Sequence, residues 1–145
     1  MAKLTYGPDD IAELDVMGYL RRNEGKFFRS GTYDAVELAG MIATEALILG
    51  AENIRIQSDG DWLTVTADRD WLKPFERDAF QAILPFPEAG TNSMLAEILA
   101  VAFSAGVTTG TSGTSEVVKG EVDFPGRPVD QNTARAVSFM RRRSS

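Results

Sequence analysis

The chain has 145 residues, a formal net charge of −6, 43% hydrophobic residues and 25% charged residues, which are typical values for a soluble globular protein of one domain. It contains no cysteine and no histidine, which excludes disulfides, a thiol nucleophile and an imidazole base, and argues strongly against a zinc site. Any metal would have to be a hard cation held by oxygen atoms. The negative charge argues against an extended nucleic-acid surface, so nucleic acid is not an expected partner.

We predict one domain over residues 1–145, with flexible ends at 1–8 and 141–145. The apolar runs are too short to cross a bilayer, and the first ten residues lack the hydrophobic core of a signal peptide. A cytoplasmic location with no membrane partner is therefore expected. The basic run Arg141–Arg143 is interpreted as a solvated tail or the cationic end of a helix, rather than as a phosphate site.

The first predicted helix covers residues 9–20, where Ile11, Leu14 and Met17 recur at helical spacing. A polar segment that contains glycines follows over residues 21–32 and is interpreted as a connection. The chain is therefore expected to begin with one amphipathic helix and a loop.

The next predicted helix, residues 35–49, is apolar nearly all round. One face consists of residues at three- and four-residue steps, namely Ala35, Leu38, Ala39, Ile42, Ala46 and Leu49. Gly50 follows, at a position where a helix end favours glycine. Because apolar residues also fill much of the opposite face, we expect this helix to be buried, with Leu47 in the core.

A β-hairpin is predicted directly after this helix. Ile54 and Ile56 alternate with polar residues, Asp59-Gly60 suits a tight turn, and residues 62–66 alternate again. Ile54, Ile56 and Val65 are expected to be buried. A buried helix beside a hairpin predicts an α+β fold, a two-layer sandwich of helices on a mostly antiparallel sheet.

Further elements are predicted toward the C-terminus. A short helix is expected to start at Pro74 and to bury Phe75, Ala79, Phe80 and Ile83. A helix over residues 94–105 is expected to be capped by Asn92 or Ser93 and to bury Leu99. A β-hairpin is predicted from residue 107 onward, and a short terminal helix over residues 131–143.

Glu45 is a carboxylate within the apolar helix. Burial of an unpaired charge is costly, so its side chain needs a partner or an opening to solvent. Two interpretations remain open: a structural ion pair with Arg21, Arg22 or Arg55, or a contact to Mg²⁺ or another polar ligand.

Asp68 and Asp70 follow the second strand of the hairpin, where functional groups often gather. Two carboxylates at this place suit an acid–base pair or a cation site. Turn formation and solvation explain both residues equally well.

Taken in order, the segments resemble the ATP-binding domain of the GHKL superfamily, especially its DNA gyrase B-type branch. The corresponding segments are the basic aromatic stretch Tyr19–Gly31, the acidic helix and turn at 41–54, ADRDWL at 67–72 in the place of an Asp-x-Gly-x-Gly motif, and 88–103 as a loop and helix. The resemblance covers residues 17–124. It implies a Bergerat-type fold.

The resemblance also assigns positions, and most of the family's functional residues are replaced at them. Glu45 stands where the family's asparagine ligates Mg²⁺, and Met41 stands where its general-base glutamate lies. Asp68 matches the aspartate that contacts adenine. Arg69 and Trp71 replace the two glycines that keep the pocket open. ATP hydrolysis in the family manner is therefore expected to be lost, although whether the chain is an enzyme stays open.

Two functions are compatible with these positions. The first is a non-catalytic GHKL-like module, without a cofactor, that binds another protein or itself as a homodimer, with Trp71 and Arg69 as interaction residues. The alternative is a divergent Mg-dependent nucleotide-binding protein or ATPase that binds ATP or ADP. Its site would comprise Glu45, Asp68, Gly90 and Asn92, with Glu45 as the metal ligand.

The non-catalytic module, in which the nucleotide pocket is filled, predicts a structural feature that the alternative does not predict. Trp71 should pack over the end of the sheet near Glu45, with Arg69 or another arginine offsetting that carboxylate.

Overall fold

Five strands of the described chain form one antiparallel sheet in the order β1-β2-β5-β3-β4. In this computed structural model, the described residues are 16–112, 114–120 and 132–144. The strands are β1 (Ile54–Asp59), β2 (Trp62–Ala67), β3 (Val107–Thr111), β4 (Thr114–Lys119) and β5 (Arg135–Met140). The helices are α1, whose described part covers residues 16–22, α2 (Glu24–Phe27), α3 (Ala35–Ile48), α4 (Asp78–Gln81) and α5 (Glu97–Phe103), with a 3₁₀ turn at Pro87–Ala89.

The α+β class and the antiparallel sheet agree with the sequence prediction. Helix α3 packs against β1 and β2 and also contacts α5, while α4 packs against α5. The hairpins β1–β2 and β3–β4 both lie where they were predicted. Within the described residues, every helix is too short or too polar to cross a bilayer.

Helix α3 begins where its sequence provides a cap. The Asp34 carboxylate accepts hydrogen bonds from the backbone N–H groups of Val36 and Glu37, which satisfies two donors that the first helical turn leaves free. The face predicted to be apolar does enter the core, where Leu38, Ala39, Ile42 and Ala46 are fully buried.

The burial predicted for the opposite face of α3 is wrong. The side chain of Leu47 is 57% exposed. The burial predicted for Ile56 on β1 is also wrong, because that side chain is 49% exposed. Val65 and Leu99 are buried as predicted, and Ile54 is half-buried. Leu47 follows Ala46 by one residue, which turns it about 100° around the helix and away from the sheet. Hydrophobicity alone did not reveal this direction.

The C-terminal helix predicted over residues 131–143 is also wrong, because β5 occupies this region. Strand β5 pairs with β2 on one side and with β3 on the other, so it lies at the centre of the sheet. Val137 and Phe139 are buried on one face, and the hydroxyl of Ser138 is hydrogen-bonded to that of Thr64 on the other face. Alternation with period two therefore governs this segment.

Smaller differences concern the ends of predicted helices. Helix α4 begins at Asp78 instead of Pro74, and Ile83 is exposed although Phe80 is buried as predicted. The connection over residues 21–32 contains the one-turn helix α2. The first predicted helix continues to residue 22, and its beginning lies outside the described residues.

Only one of the two chain ends that were expected to be flexible includes described residues. Residues 1–8 lie outside the described residues. The described part of the other end, residues 141–144, is attached to the fold, since the backbone N–H of Arg141 donates to the Asp61 carbonyl at 2.7 Å. In addition, Arg143 forms an ion pair with Glu24 at 2.6 Å. The basic run is thus partly neutralised by acidic groups of the same chain.

The observed face of α3 leads to a stability prediction. Replacement of the fully buried Ile42 by alanine is expected to lower the free energy of unfolding by about 2–5 kcal/mol, because it removes apolar contacts and leaves a cavity. The matched control is Ile83→Ala at an exposed position, for which we expect a much smaller loss. Urea unfolding of both variants checks the result, and equal losses would contradict the assigned face.

Candidate functional site

Two buried carboxyl groups share one donor in the core, and we call Glu45 and Glu97 the carboxyl pair. The indole N–H of Trp71 lies 3.1 Å from Oε2 of Glu45 and 3.1 Å from Oε2 of Glu97. Trp71 and Glu45 are each 2% exposed and Glu97 is 0% exposed. The expectation that Trp71 packs near Glu45 is therefore confirmed.

Three separate elements bring these groups together. Glu45 projects from the inner side of the last turns of α3, and Glu97 is the first residue of α5. Trp71 follows β2 after a short turn. The site therefore depends on tertiary packing and not on a local motif.

Glu45 also accepts a hydrogen bond from a backbone N–H group at the beginning of α5. Its Oε1 accepts a hydrogen bond from the backbone N–H of Ala96 at 2.8 Å, and Ala96 is the N-cap residue of that helix. The predicted cap, Asn92 or Ser93, lies further upstream and does not take this role. A carboxyl group from α3 thus accepts the N–H of the N-cap residue, as the glutamate of a capping box does within one helix.

Burial sets the charge state of the carboxyl pair. Desolvation, followed by the neighbouring Glu97 carboxyl, raises the pKa of Glu45 far above its ordinary value. Desolvation also raises the pKa of Glu97, although hydrogen bonds from Glu45 and Trp71 oppose this shift. Two carboxyls in one buried site cannot both ionise without a large cost in free energy. We therefore assign a retained proton to Glu45 at neutral pH.

One oxygen of this site has no hydrogen-bond partner among the described residues, namely the buried Oε1 of Glu97. No described lysine or arginine forms an ion pair with either member of the carboxyl pair. The positive charge of Arg135 still lowers the pKa of Glu97 through space, as a minor contribution. Within the described part of the chain, the site is therefore polar but has no cation in direct contact with its carboxyl groups.

The prediction that Glu45 forms an ion pair with an arginine is wrong for the described residues. The Arg21 Nε–H donates instead to the backbone carbonyl of Ala102 at 3.2 Å. The expectation that the positive charge of Arg69 offsets the Glu45 carboxylate is also not met. The Arg69 guanidinium packs over Gly50, since a Cβ at Gly50 would lie 2.8 Å from its Nη1. Arg69 thus places positive charge at the C-terminal end of α3, which has no basic residue in its last turn.

Asp68 does not join the carboxyl pair. Its Oδ1 accepts the backbone N–H of Glu52 at 3.0 Å, and its Oδ2 accepts the side-chain amide of Asn53 at 3.2 Å. Hydrogen bonds from the backbone N–H groups of Asn53 and Glu52 lower the pKa of Asp68. Asp68 is exposed and fixes the turn before β1, so it shares no partner with Glu45.

Asp70 forms a separate pair. Its carboxylate accepts two hydrogen bonds from Arg135, at 2.8 Å and 3.0 Å, and Arg135 also donates to the Thr109 hydroxyl at 3.1 Å. Arg135 and Thr109 line a cleft of about 280 Å³ between α4 and the β3–β4 hairpin. Asp68 and Asp70 therefore bind separate partners and do not come together as the acid–base pair or the cation site of the functional interpretation.

The remaining predicted positions lie in other surroundings. Gly90 (φ 122°) and Asn92 (φ 67°) occupy an exposed turn, where their left-handed backbone suits a glycine and an asparagine. Met41 is half-buried on α3. Among the residues assigned to a nucleotide site, only Glu45 belongs to the buried cluster.

Sequence reasoning missed Glu97 and Arg135. The signal for Glu97 was present, because it is a carboxylate inside an apolar helical run, as Glu45 is. Arg135 was hidden by the incorrect helix prediction at the C-terminus.

The arrangement can hold and share a proton, but its donor set does not favour a metal. In the described chain, no three acidic side chains converge to hold an ion. Metal binding would require the carboxyl pair to ionise, which burial opposes.

Comparisons with protein-family models, with curated proteins and with solved structures found no match.

Proposed function

We propose that the chain is a non-catalytic module with a GHKL-like fold that acts by binding another protein. The observation that supports this most is the packing of Trp71 against Glu45, with its indole N–H 3.1 Å from the carboxyl. In the resemblance, Trp71 replaces a glycine that keeps the nucleotide pocket open, and Glu45 replaces the Mg²⁺ ligand. Because the buried indole is hydrogen-bonded to Glu45, the residue at the position of the Mg²⁺ ligand, it leaves little room for a nucleotide.

The chemistry of Glu45 supports the same proposal. Its two oxygens already bind the Ala96 N–H and the Trp71 indole, and burial favours its neutral form. A neutral carboxyl is a poor ligand for Mg²⁺. Met41, at the position of the family's general base, has no group that accepts a proton.

Protein binding is supported by the outer surface of the α3–β1 region. Four large apolar side chains are exposed there: Val36, Leu47, Ile48 and Ile56. Exposed large apolar side chains are suited to burial against a partner protein. Trp71 itself is buried, so its indole would contact a partner only after a rearrangement.

The proposal predicts that nucleotides do not bind. A ligand present at about 100 times its dissociation constant stabilises a protein by roughly 2.7 kcal/mol. We expect no change in melting temperature with ATP or ADP, with or without Mg²⁺. Thermal melts followed by calorimetry would measure this.

A Mg²⁺-dependent shift would contradict the proposal and favour the alternative, a divergent nucleotide binder. Asp68→Asn is the matched variant for that outcome, because Asp68 occupies the position of the family's adenine contact and is exposed. Loss of the shift in Asp68→Asn would assign the binding to the family's site.

A further inference from the structure

The cleft between α4 and the β3–β4 hairpin has walls that are mostly polar. It is bounded by residues before and within α4, by both strands of the hairpin and by the first residue of β5. Its volume of about 280 Å³ lies close to the lower limit for small-molecule sites, which is about 300 Å³. A ligand that fills this cleft must therefore be small.

Arg135 provides donors at the buried side of the cleft. The residue is 9% exposed and lines the cleft. Its Nε–H and one Nη2–H donate to Asp70, and one Nη1–H donates to Thr109. A guanidinium has five N–H groups, so one N–H on each terminal nitrogen has no partner among the described residues. Arg135 is thus held by its neighbours and keeps two donors for a ligand.

Acceptors lie at the exposed side of the same cleft. Glu76 has a φ of 53°, a left-handed backbone that is uncommon outside glycine and is found at ligand-binding positions. Its carboxylate has no partner within the described chain, and the Glu116 carboxylate accepts one hydrogen bond there, from Nη2 of Arg77 to Oε2 at 3.0 Å. This ion pair is exposed and therefore weak. Both oxygens of Glu76 and Oε1 of Glu116 remain as acceptors for a ligand.

Two threonine hydroxyls add one more donor. Thr111 and Thr114 both line the cleft, and their Oγ1 atoms lie 2.6 Å apart. Because one hydroxyl donates to the other, the hydrogen bond between them uses only one of their two protons. The second proton can be donated to a ligand.

The charges of the lining favour a neutral ligand. Two positive groups, Arg77 and Arg135, are balanced by two negative groups, Glu76 and Glu116. Asp70 already offsets the charge of Arg135 through two hydrogen bonds. A second carboxylate or a phosphate at Arg135 would add an unpaired negative charge at a buried position, which is costly. A neutral oxygen accepts the same N–H groups without this cost.

We infer that the cleft binds a small neutral polyhydroxy compound, of the size of a monosaccharide. Its hydroxyl oxygens accept the two N–H groups of Arg135, and its O–H groups donate to Glu76 and Glu116. Because a hydroxyl both donates and accepts, neighbouring hydroxyls on one ring suit a cleft with donors on one side and acceptors on the other. None of the groups used belongs to the carboxyl pair, so the inference does not depend on the proposed function.

Titration of the ¹⁵N-labelled chain with D-glucose, D-galactose, D-mannose and myo-inositol, each up to about 50 mM, tests the site by NMR. Millimolar dissociation constants are expected for ligands of this size. At least one compound should shift the backbone amide resonances of Thr111, Thr114 and Glu116 in a saturable manner and leave those of β1 unchanged. Absence of saturable shifts with all four compounds would overturn the inference.

Charged probes test the class of ligand. Sodium acetate, inorganic phosphate and glycine are titrated at the same ionic strength, and we expect none of them to produce saturable shifts of the cleft amides. Saturable binding of any of the three at the cleft would overturn the assignment of a neutral ligand. The nucleotide melts report on a different place, so either result can fail without the other.

Variants of the lining test the contacts. Arg135→Lys keeps a positive charge beside Asp70 but loses the second nitrogen, and it should abolish the saturable shifts. The double variant Thr111→Val with Thr114→Val does not disturb Arg135, and it should raise the dissociation constant about 2- to 10-fold, as the loss of one hydrogen bond does. The control Thr66→Val, on β2 and outside the cleft, should bind as the parent does. An unchanged constant in the double variant would overturn the inference even if Arg135→Lys does not fold.

Discussion

Replacement of Trp71 by glycine is expected to lower the free energy of unfolding by about 3–5 kcal/mol. The indole is almost completely buried and is among the largest side chains of the core. Its loss removes apolar contacts and leaves a cavity between α3 and α5. The N–H that both carboxyl groups accept is lost as well. Urea denaturation, with a linear extrapolation to water, measures the difference.

Trp71→Phe separates packing from hydrogen bonding. Phenylalanine retains most of the aromatic area but leaves the carboxyl pair without its shared donor, at a cost of about 1–3 kcal/mol. We therefore expect Trp71→Phe to lie between the parent chain and Trp71→Gly. A neutral Trp71→Gly would show that the indole is not packed in solution.

The same variants test for latent catalysis. Opening the pocket with Trp71→Gly and Arg69→Gly restores the family's glycines, yet Met41 still provides no base. We expect no ATPase activity from the double variant, and its appearance would contradict the non-catalytic proposal.

The carboxyl pair is expected to make stability fall as the pH rises. Below about pH 4.5, the ordinary value for a glutamate, the folded and unfolded chains both hold the proton of Glu45. Above this pH the unfolded chain loses the proton, while the folded chain keeps it because its pKa is raised. Stability should then decrease by up to about 1.4 kcal/mol per pH unit for one retained proton, until the folded pKa is reached.

Glu45→Gln tests this dependence. The amide of glutamine does not titrate: its oxygen can accept the Ala96 N–H while its nitrogen donates to Glu97. That nitrogen cannot accept the Trp71 indole N–H, which then keeps only Oε2 of Glu97 as its acceptor. We expect the variant to lose most of the slope between about pH 5 and pH 8 and to gain stability, relative to the parent, at the alkaline end. Urea titrations at several pH values check this expectation.

The control for the pH series is Asp68→Asn. The pKa of Asp68 is lowered, so its contribution is present above its ordinary value and is lost only as the pH falls below it. Its removal should leave the slope between pH 5 and pH 8 unchanged. An unchanged slope in Glu45→Gln would show that Glu45 does not retain the proton.

The part of the fold that sequence predicts best is α3 with β1 and β2. There the helical spacing of Leu38 and Ile42, the Asp59-Gly60 turn and the alternation in β2 each indicate the same structure as the final packing. The position of Trp71 near Glu45 was also predicted, although through a family resemblance and not from periodicity.

The remaining part depends on contacts between distant residues. Glu45 and Glu97 lie 52 positions apart, and neither carries a local signal that names the other as its partner. The exposure of Leu47 depends on which side of α3 finds a neighbour. The segment of β5 is short and apolar, so helical and strand periods fit it about equally until β2 and β3 bind on either side.

The shared indole proton of Trp71 offers a spectroscopic view of how the fold opens. It is held between carboxyls from α3 and α5, so exchange with deuterated solvent requires these two helices to separate. The chain has two tryptophans, so its NMR spectrum contains two indole N–H resonances. The exchange rate of the Trp71 resonance would therefore report, at a single atom, the opening of the core.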